Sequence, residues 1–259
     1  MPELPEVETL CRQLREVIAG KKILAIRILD SKLENIENLE GRTIRLPCRA
    51  GKCLYFRLDD GRVLMLHLRM TGRLLWQTDQ PVPASHTRFI MQFDSGRLDL
   101  IDPRRFATLQ VQNENPVPKA EFDPLNNFSP RLLWERGSKK MLPIKSFLMD
   151  QRYIAGIGNI YACEILHEIS ISPRRKTSDL SLAEWRKLAA AARDILNKAI
   201  TCRGTTVSDW RDLFGQKGEY QNHLKVYAKE GEPCYHCGGI IERVKLSGRG
   251  TYFCPACQL

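Results

Sequence analysis

Residues 234–237 read Cys-Tyr-His-Cys and residues 254–257 read Cys-Pro-Ala-Cys, so two C-x2-C pairs stand sixteen residues apart. Each pair can present two thiolates to one tetrahedral metal ion, and the intervening residues can fold back as a hairpin that joins the pairs. Four thiolates leave no open coordination position, which predicts one structural rather than catalytic Zn²⁺. The predicted ligands are Cys234, Cys237, Cys254 and Cys257.

Other uses of these cysteines are open from the sequence. Two disulfides or free thiols also fit, and His236 lies inside the first pair, where it could compete as a ligand. The chain has nine cysteines, and the other five are isolated. An odd, scattered set in a chain without a secretory signal favours reduced thiols and therefore a metal. Metal binding would contribute about 10 kcal/mol to folding this small unit.

Length and composition exclude several classes of protein. The chain has 259 residues, of which 43% are hydrophobic, enough for a core and too many for wholesale disorder. No apolar run reaches the length of a membrane span, and residues 1–6 are acidic and lack the apolar stretch of a secretory signal. We expect a cytoplasmic protein, with a monomer as the default.

The positive charge is concentrated in the second half of the chain. Residues 1–130 hold 19 basic and 17 acidic side chains, a net charge of +2, whereas residues 131–259 hold 21 and 13, a net charge of +8. This asymmetry suggests a polyanionic partner, of which nucleic acid is the commonest, but a merely solubilising surface fits the charge equally well.

The hydrophobic pattern changes along the chain. An apolar face predicts a helix from Pro5 to Ala19, and short β-like runs then extend to about Val111. A Pro- and Asn-rich linker follows at 112–130, and helical periodicity dominates after it, with a capping box at Ser181–Glu184. The predicted strands cover residues 23–28, 43–46, 53–58, 63–68, 87–93 and 98–101. Many short strands suggest a sandwich or barrel.

The N-terminus carries a possible nucleophile. Proline at position 2 permits removal of the initiator methionine, which would leave Pro2 with a free secondary amine. An α-amino group has a pKa of roughly 7.7–8.0, so part of it is unprotonated at neutral pH and can attack an electrophilic sugar carbon. The carboxyl groups of Glu3 and Glu6 follow at once and could move protons. Pro-Glu is also an ordinary helix start.

Three further segments suit contact with DNA. Gly156-Ile-Gly158-Asn159 precedes a helical run over 160–167, where backbone N–H groups can bind a phosphate and Asn159 could cap the helix. Asp102-Pro-Arg-Arg-Phe106 and His67-Leu-Arg-Met70 combine cations with apolar side chains that suit a wedge into stacked bases. A salt-bridged turn with Phe106 and Met70 in the core is the alternative.

Taken in order, these motifs resemble the bacterial formamidopyrimidine-DNA glycosylase family. The resemblance rests on the start Pro2–Thr9, the Gly51-Lys52 hairpin, Met70, Arg104–Phe106, Ala155–Asn159 and the four-cysteine finger, and it covers essentially the whole chain. It implies an α+β fold with two domains. The implied boundaries are 1–111 for a catalytic helix and β-sandwich, 112–130 for a linker, 131–226 for a helix–two-turn–helix DNA-binding domain, and 227–259 for a zinc finger.

The resemblance also implies an activity in base excision repair. The family removes 8-oxoguanine and formamidopyrimidines from duplex DNA and then cuts the strand by β,δ-elimination at the abasic site. Pro2 would be the nucleophile, Glu3 the general acid/base with support from Glu6, and Lys52 an assisting group. Met70, Arg104 and Phe106 would fill the gap left by the flipped nucleotide. The implied phosphate contacts are Lys52, His67, Arg105, Asn159 and Arg249. Residues 205–220 match the family's lesion-covering loop in position.

The sequence departs from the family pattern at three positions and leaves other functions open. Arg69 and Ala107 stand where glycine is common, and Cys53 stands where an aromatic residue is common. Arg69 directly precedes Met70, so it puts lesion and opposite-base preference in question. A related enzyme of the endonuclease VIII type, which prefers oxidised pyrimidines, would share Pro2, Glu3 and Lys52. A non-catalytic DNA-binding scaffold is less favoured because Pro2, Glu3 and Lys52 are all present. An adaptor built on the zinc finger leaves the N-terminal half unexplained.

Overall fold

The computed structural model describes residues 1–33, 36, 39–79, 82–113, 123–126 and 128–259. Two compact units are present: the first contains the described residues of Met1–Pro118 and Cys202–Gln221, and the second those of Lys119–Thr201 and Asn222–Leu259. Residues 114–122 and 127 of the predicted linker lie outside the described residues. In the described part, no helix combines the length and apolar content that a membrane span requires.

The first unit begins with helix α1, Leu4–Ile18. The bounds predicted from the sequence, Pro5–Ala19, each lie one residue after the observed ones. The chain leaves the helix at Gly20, whose φ of +76° suits a residue without a Cβ. One face of α1 is buried through Val7, Leu10 and Leu14. Burial of each such side chain contributes about 1.5–3 kcal/mol, which anchors the N-terminus on the sandwich.

Two antiparallel four-stranded sheets complete the first unit and form the predicted sandwich. One sheet has the strand order β1-β6-β7-β5 and the other β2-β3-β4-β8. Inward residues alternate with outward ones, as in Phe89, Met91 and Phe93, and they join one core with α1. The strands are β1 (Ala25–Ile28), β2 (Ile44–Ala50), β3 (Cys53–Leu58), β4 (Val63–His67), β5 (Arg73–Gln77), β6 (Thr87–Phe93), β7 (Gly96–Ile101) and β8 (Thr108–Gln112). The sequence predicted all but β5 and β8.

Residues 202–221 pack within the first unit although 89 residues separate them from the end of β8. The Leu213 side chain is fully buried in the sandwich core, and its carbonyl accepts a hydrogen bond of 2.8 Å from the Trp76 N–H. The Gln13 side chain of α1 donates to Asp212 at 2.9 Å and accepts from the Leu213 N–H at 3.0 Å. This segment is therefore fastened to α1 and to β5.

The second unit is mainly helical and ends in a hairpin. Its helices are α2 (Pro130–Gly137), α3 (Ile144–Met149), α4 (Asn159–Glu168) and α5 (Leu182–Thr201), and its strands are β9 (Glu242–Leu246) and β10 (Arg249–Phe253). The predicted capping box of α5 is confirmed, since the Ser181 N–H donates to Glu184 and the Glu184 N–H donates to Ser181. Trp185 of α5 lies edge-on to Phe147 of α3, with ring centroids 5.3 Å apart, in the helical core. The mixed α+β composition predicted from the sequence is confirmed.

Candidate functional site

The start of α1 gathers Pro2, Glu3 and Glu6 in a buried position. Glu3 is the N-cap residue, and it forms a reciprocal capping box with Glu6, whose Oε2 accepts the Glu3 N–H at 2.8 Å. Both carboxyl groups belong to residues only 2% exposed, and Pro2 is also buried. The positive end of the helix dipole favours carboxylates here. The geometry therefore fixes two carboxylates directly beside residue 2.

Glu6 also holds the segment that follows α5. Its Oε1 accepts the Thr205 N–H at 2.7 Å, so each carboxylate oxygen binds one backbone N–H. Gly204 has a φ of +83°, and a Cβ at this position would lie 2.6 Å from Glu6 Oε1. Only glycine permits this approach. The Glu6 side chain thus joins the N-terminus of α1 to the 202–221 segment.

Lys52 lies in the turn between β2 and β3 and is buried. A chain of polar contacts links this turn to α1: Arg49 Nε donates to Glu8 Oε2 at 2.8 Å, and Arg49 Nη1 donates to the Gly51 carbonyl at 3.1 Å. The Arg49 side chain is only 4% exposed, so the ion pair is shielded from solvent. Helix α1 therefore positions Lys52 as well as Glu3.

His67 is a neutral hydrogen-bond donor beside this turn. Burial, with the positive charges of Arg69 and Lys52, lowers the pKa of His67 to about 4. Its Nδ1 accepts the Arg69 N–H at 2.9 Å, so the single ring proton lies on Nε2. Arg69 has a φ of +56°, a conformation that favours glycine, and its side chain is exposed.

Met70, Arg104 and Phe106 form one exposed cluster. The Arg104 guanidinium carbon lies 4.5 Å from the centre of the Phe106 ring, and Arg104 Nη1 lies 3.6 Å from Met70 Sδ. Met70 is 46% exposed and Phe106 is 44% exposed. The alternative that both apolar side chains belong to the core is therefore wrong. A cation between two exposed apolar groups can stack on or wedge between nucleobases.

A buried carboxylate shapes the loop that carries this cluster. Asp102, 1% exposed, accepts backbone N–H groups from Arg104 at 3.2 Å, Phe106 at 2.6 Å and Ala107 at 2.7 Å, and it also accepts the Thr71 hydroxyl. Burial opposes ionisation of this carboxyl group, but these hydrogen bonds outweigh it and hold its pKa below the usual range. Asp102 therefore joins the loop of Met70 to the loop of Arg104 and Phe106.

Arg105 lies beside the cluster but faces another acid. Its Nε donates to Asp30 Oδ2 at 3.0 Å and its Nη2 contacts Asp30 Oδ1. Asp30 also binds the buried Arg88, whose Nη1 donates to the Ala107 carbonyl at 3.0 Å. The hydrogen bond from Arg105 outweighs burial and lowers the Asp30 pKa. The structure thus places the Arg105 guanidinium in an ion pair at one side of the loop, with about half of its side chain exposed.

The second unit brings Asn159 and the finger together through a buried lysine. Lys145, 1% exposed, donates to Asn159 Oδ1 at 2.6 Å and to Thr251 Oγ1 at 2.7 Å, while Asn159 Nδ2 donates to the Gly250 carbonyl at 3.0 Å. Gly158, not Asn159, is the N-cap residue of α4, so the alternative in which Asn159 caps the helix is wrong. The Gly156 N–H donates to Gln151 Oε1 at 2.7 Å. A cleft of about 180 Å³ beside this network is lined by Lys145 and the exposed Arg249, among others.

The four predicted ligands of the metal lie around one point. Their sulfur atoms are all within 4.8 Å of one another, with Cys234 Sγ 3.8 Å from Cys257 Sγ and Cys237 Sγ 3.5 Å from Cys254 Sγ. Tetrahedral Zn²⁺ with Zn–S bonds of about 2.3 Å requires sulfur separations of about 3.8 Å. A disulfide needs roughly 2.0 Å, so the disulfide alternative is wrong.

The space around the sulfurs also fits a closed metal site. A Cβ at Gly239 would lie 2.9 Å from Ala256 Cβ and 3.4 Å from each of two ligand sulfurs. A larger residue would therefore push on the sulfur cage. His236 is exposed and does not belong to the group of ligand atoms, so four thiolates complete the shell. The residues present fit one structural Zn²⁺.

Sequence reasoning missed several residues that hold this site. Asp102 could have been suspected, because Asp-Pro often begins a turn. Arg49 and Lys145 gave no signal, since an isolated basic residue in a sequence usually lies in solvent. The contact from Glu6 to Thr205 joins residues 199 positions apart, and local patterns carry no information about such a pair.

Three family models match the chain in succession. The formamidopyrimidine-DNA glycosylase N-terminal domain matches residues 1–109, the formamidopyrimidine-DNA glycosylase H2TH domain matches 121–210, and the zinc finger found in FPG and IleRS matches 231–259. The zinc prediction and the predicted α+β architecture with its helix–two-turn–helix and finger modules are confirmed. The domain boundaries drawn from the sequence stay a prediction.

Similar proteins extend over the full length. The formamidopyrimidine-DNA glycosylase of Pelotomaculum thermopropionicum is 39% identical, covering 100% of this chain and 99% of that protein. The structure of Lactococcus lactis Fpg with abasic-site DNA has a TM-score of 0.90 at 35% identity, and MutM with carbocyclic 8-oxo-G DNA has 0.90 at 34%; both comparisons cover 99% of each chain. The chain therefore belongs to the formamidopyrimidine-DNA glycosylase family, the zinc-finger DNA glycosylases of DNA repair.

Proposed function

We propose that this protein is a bifunctional DNA glycosylase and abasic-site lyase that excises oxidised purines, 8-oxoguanine and formamidopyrimidines, from duplex DNA. The observation that carries the proposal is the buried pair of carboxylates, Glu3 and Glu6, fixed by a capping box directly beside Pro2. This arrangement suits a secondary amine that must attack carbon while neighbouring groups move protons. The substrates named in the similar structures support the same chemistry.

The reaction would begin after Met1 is removed. The Pro2 nitrogen would then attack C1′ of the damaged nucleotide, the bond to the base would break, and the base would leave with a proton. The resulting Schiff base would undergo β,δ-elimination, which cuts the strand on both sides of the sugar. Glu3 would act as general acid and base. Glu6, with both oxygens on backbone N–H groups, would support it by fixing the start of α1.

Lys52 and His67 would serve the DNA backbone near the lesion. Helix α1 holds the turn of Lys52 through Glu8 and Arg49, so this cation and the amine of residue 2 share one support. Neutral His67 carries its proton on Nε2, which suits donation to a phosphate oxygen without an additional charge. Asn159, Arg249 and Arg105 would contribute further phosphate contacts.

Met70, Arg104 and Phe106 would occupy the gap left by the flipped nucleotide. Removing a base from the stack costs a few kcal/mol, and exposed apolar groups that insert in its place offset part of this cost. The contacts among the three side chains preorganise the wedge, because Arg104 bridges Met70 and Phe106 before DNA binds. Arg104 would face the unpaired cytosine.

Borohydride trapping tests the proposal. The tag-free protein is incubated with an 8-oxoguanine·cytosine duplex and borohydride, and the covalent adduct is mapped by peptide mass. An adduct on Pro2 is expected, and Pro2→Gly should lose trapping while it binds an abasic-analogue duplex within about threefold of wild type. Pro5→Ala is the matched control, since it changes a proline in the first turn of α1 without touching the amine.

Two outcomes would overturn the proposal. Unchanged trapping by Pro2→Gly would remove Pro2 from its role. Faster excision of thymine glycol than of 8-oxoguanine would replace purine with pyrimidine specificity. A verified uncleaved N-terminal fusion gives an independent check, since a blocked amine should abolish strand cleavage.

A further inference from the structure

His167 lies at the end of α4 and contacts the metal centre. Its side chain is fully buried, and its Nε2 lies 3.2 Å from Cys234 Sγ. It is not one of the group of ligand atoms that lie within 4.8 Å of one another, so it does not share the metal's position with the four sulfurs. The sequence suggested only that residue 167 belongs to a helical run.

The direction of this hydrogen bond follows from the metal. A zinc-bound cysteine is a thiolate without a proton, so Cys234 Sγ can only accept, and His167 Nε2 must carry the donated hydrogen. The other ring nitrogen, Nδ1, has no hydrogen-bond partner within the described residues. An unpartnered lone pair is less costly in this position than an unpartnered N–H group, which favours the same tautomer.

We propose that His167 is an outer-shell residue of the zinc centre, which donates Nε2–H to the Cys234 thiolate and thereby fastens α4 to the finger. Zn²⁺ with four thiolates has a net charge of −2, and a buried donor spreads part of that charge. Outer-shell donors of this kind are worth about 10–100-fold in metal affinity. His167 is a positioning residue, because it acts on the metal through Cys234.

His167 also gives α4 a second attachment to the finger. The helix is held to the finger at its start, where Asn159 donates to the Gly250 carbonyl, and at its end, where His167 meets Cys234. Metal loss would release the second of these contacts. The inference rests on the zinc centre and not on the chemistry proposed for Pro2, so the two stand or fall separately.

The test measures zinc affinity in the full-length protein. Wild type, His167→Phe, His167→Gln and His167→Ala compete for Zn²⁺ with a chromophoric chelator. The His167→Phe and His167→Ala variants should bind Zn²⁺ about 10–100-fold more weakly than wild type. The His167→Gln variant keeps an N–H donor, so it should bind Zn²⁺ at least fivefold more tightly than the His167→Ala variant. His236→Phe is the matched control: its exposed ring lies 4.6 Å from the His167 ring, and its affinity should equal that of wild type.

Cobalt substitution separates a lost donor from lost packing. In Co²⁺-loaded His167→Phe, the sulfur-to-metal charge-transfer band should move to lower energy, because a thiolate without its donor holds its electrons less tightly. Equal zinc affinity in wild type and Phe would overturn the inference, as would equal losses in Gln and Ala. X-ray absorption that finds three sulfurs and one nitrogen around zinc in wild type would also overturn it, by making His167 a ligand. If the Phe variant does not fold, the comparison of Gln with Ala decides.

Discussion

Replacing Asp102 with asparagine should release the loop that carries the proposed wedge. In the wild type, one buried carboxylate accepts three backbone N–H groups of residues 104–107, the Thr71 hydroxyl and, at 3.3 Å, the Arg88 guanidinium. Asparagine has the same shape but offers one acceptor oxygen and no charge. Its best orientation keeps that oxygen toward the Phe106 and Ala107 N–H groups and turns its NH2 toward the Arg104 N–H, which then loses its acceptor.

The expected magnitude follows from these contacts. A hydrogen bond to a charged group contributes about 1.5–3 kcal/mol and a neutral one about 0.5–1.5 kcal/mol. Each of the three backbone hydrogen bonds is therefore weakened by about 1 kcal/mol, which gives a total loss of about 3 kcal/mol. Because the loop can open while the sandwich stays folded, the loss in global stability is limited to the free energy of this local opening. Local opening, rather than the melting temperature, is therefore the quantity to measure.

Amide hydrogen exchange at Phe106 and Ala107 measures that opening. A loss of about 3 kcal/mol corresponds to roughly a hundredfold drop in protection, since each 1.4 kcal/mol is tenfold. Binding of an abasic-analogue duplex should weaken as well, because the wedge must then be ordered when DNA binds. In wild type, the hydrogen bonds that lower the Asp102 pKa also make the stability of the loop depend on pH. The stabilisation by the carboxylate is complete above about pH 4, the pKa of a free Asp, and it is lost as the pH falls through the lowered pKa of Asp102.

Asp60→Asn is the matched control for this prediction. Asp60 also accepts a backbone N–H of its own turn, from Arg62 at 3.1 Å, but it is exposed. An exposed pair is worth about 0–1 kcal/mol, so protection at Phe106 and Ala107 should not change. Protection in Asp102→Asn within threefold of wild type would refute the reasoning, because it would mean that the loop is ordered without the carboxylate.

Two further predictions concern other buried supports. Arg49→Gln removes the shielded ion pair to Glu8 and the contact to the Gly51 carbonyl. Single-turnover strand cleavage should slow at least tenfold, whereas binding of an abasic-analogue duplex should weaken far less. Equal losses in cleavage and binding would contradict a role of Arg49 in positioning Lys52. Glu164→Gln leaves one of the three backbone N–H groups at 225–227 without an acceptor. Urea unfolding followed by tryptophan fluorescence should show a free energy of unfolding lower by about 1–3 kcal/mol. An unchanged unfolding midpoint would contradict this prediction.

The sequence predicts most of the sandwich because its strands are short apolar runs bounded by turn residues. In β6, Phe89, Met91 and Phe93 face the core, and the predicted bounds of 87–93 equal the observed ones. Strand β5, Arg73–Gln77, was missed because its apolar run, Leu74-Leu75-Trp76, has three residues, fewer than the roughly four to eight that indicate a strand. The zinc ligands are predictable for a different reason, since two short spacings alone determine which atoms can meet around one ion.

The supports of the site were not predictable, because they join distant parts of the chain. The segment 202–221 follows a helix of the second unit in sequence, yet it packs on α1 and β5 of the first. Its anchors are a glutamine at position 13 and a glutamate at position 6, and neither residue type marks a long-range contact in a sequence. Lys145 is similar: hydropathy places a lysine in solvent, but two oxygen acceptors compensate its burial.

Three buried carboxylates share one structural task in this protein. Glu6 binds the N–H groups of Glu3 and Thr205, Asp102 binds those of residues 104–107, and Glu164 binds those of residues 225–227. Each is at most 3% exposed, so each carboxyl group is turned away from solvent. The backbone N–H groups bound here lie outside the helices and strands, so they would otherwise need solvent or another side chain as acceptor. An inward carboxylate that accepts several backbone N–H groups orders such a loop without placing a carboxylate on the surface. Within the first unit, Glu6 and Asp102 in this way order the segments beside the proposed nucleophile and the proposed wedge.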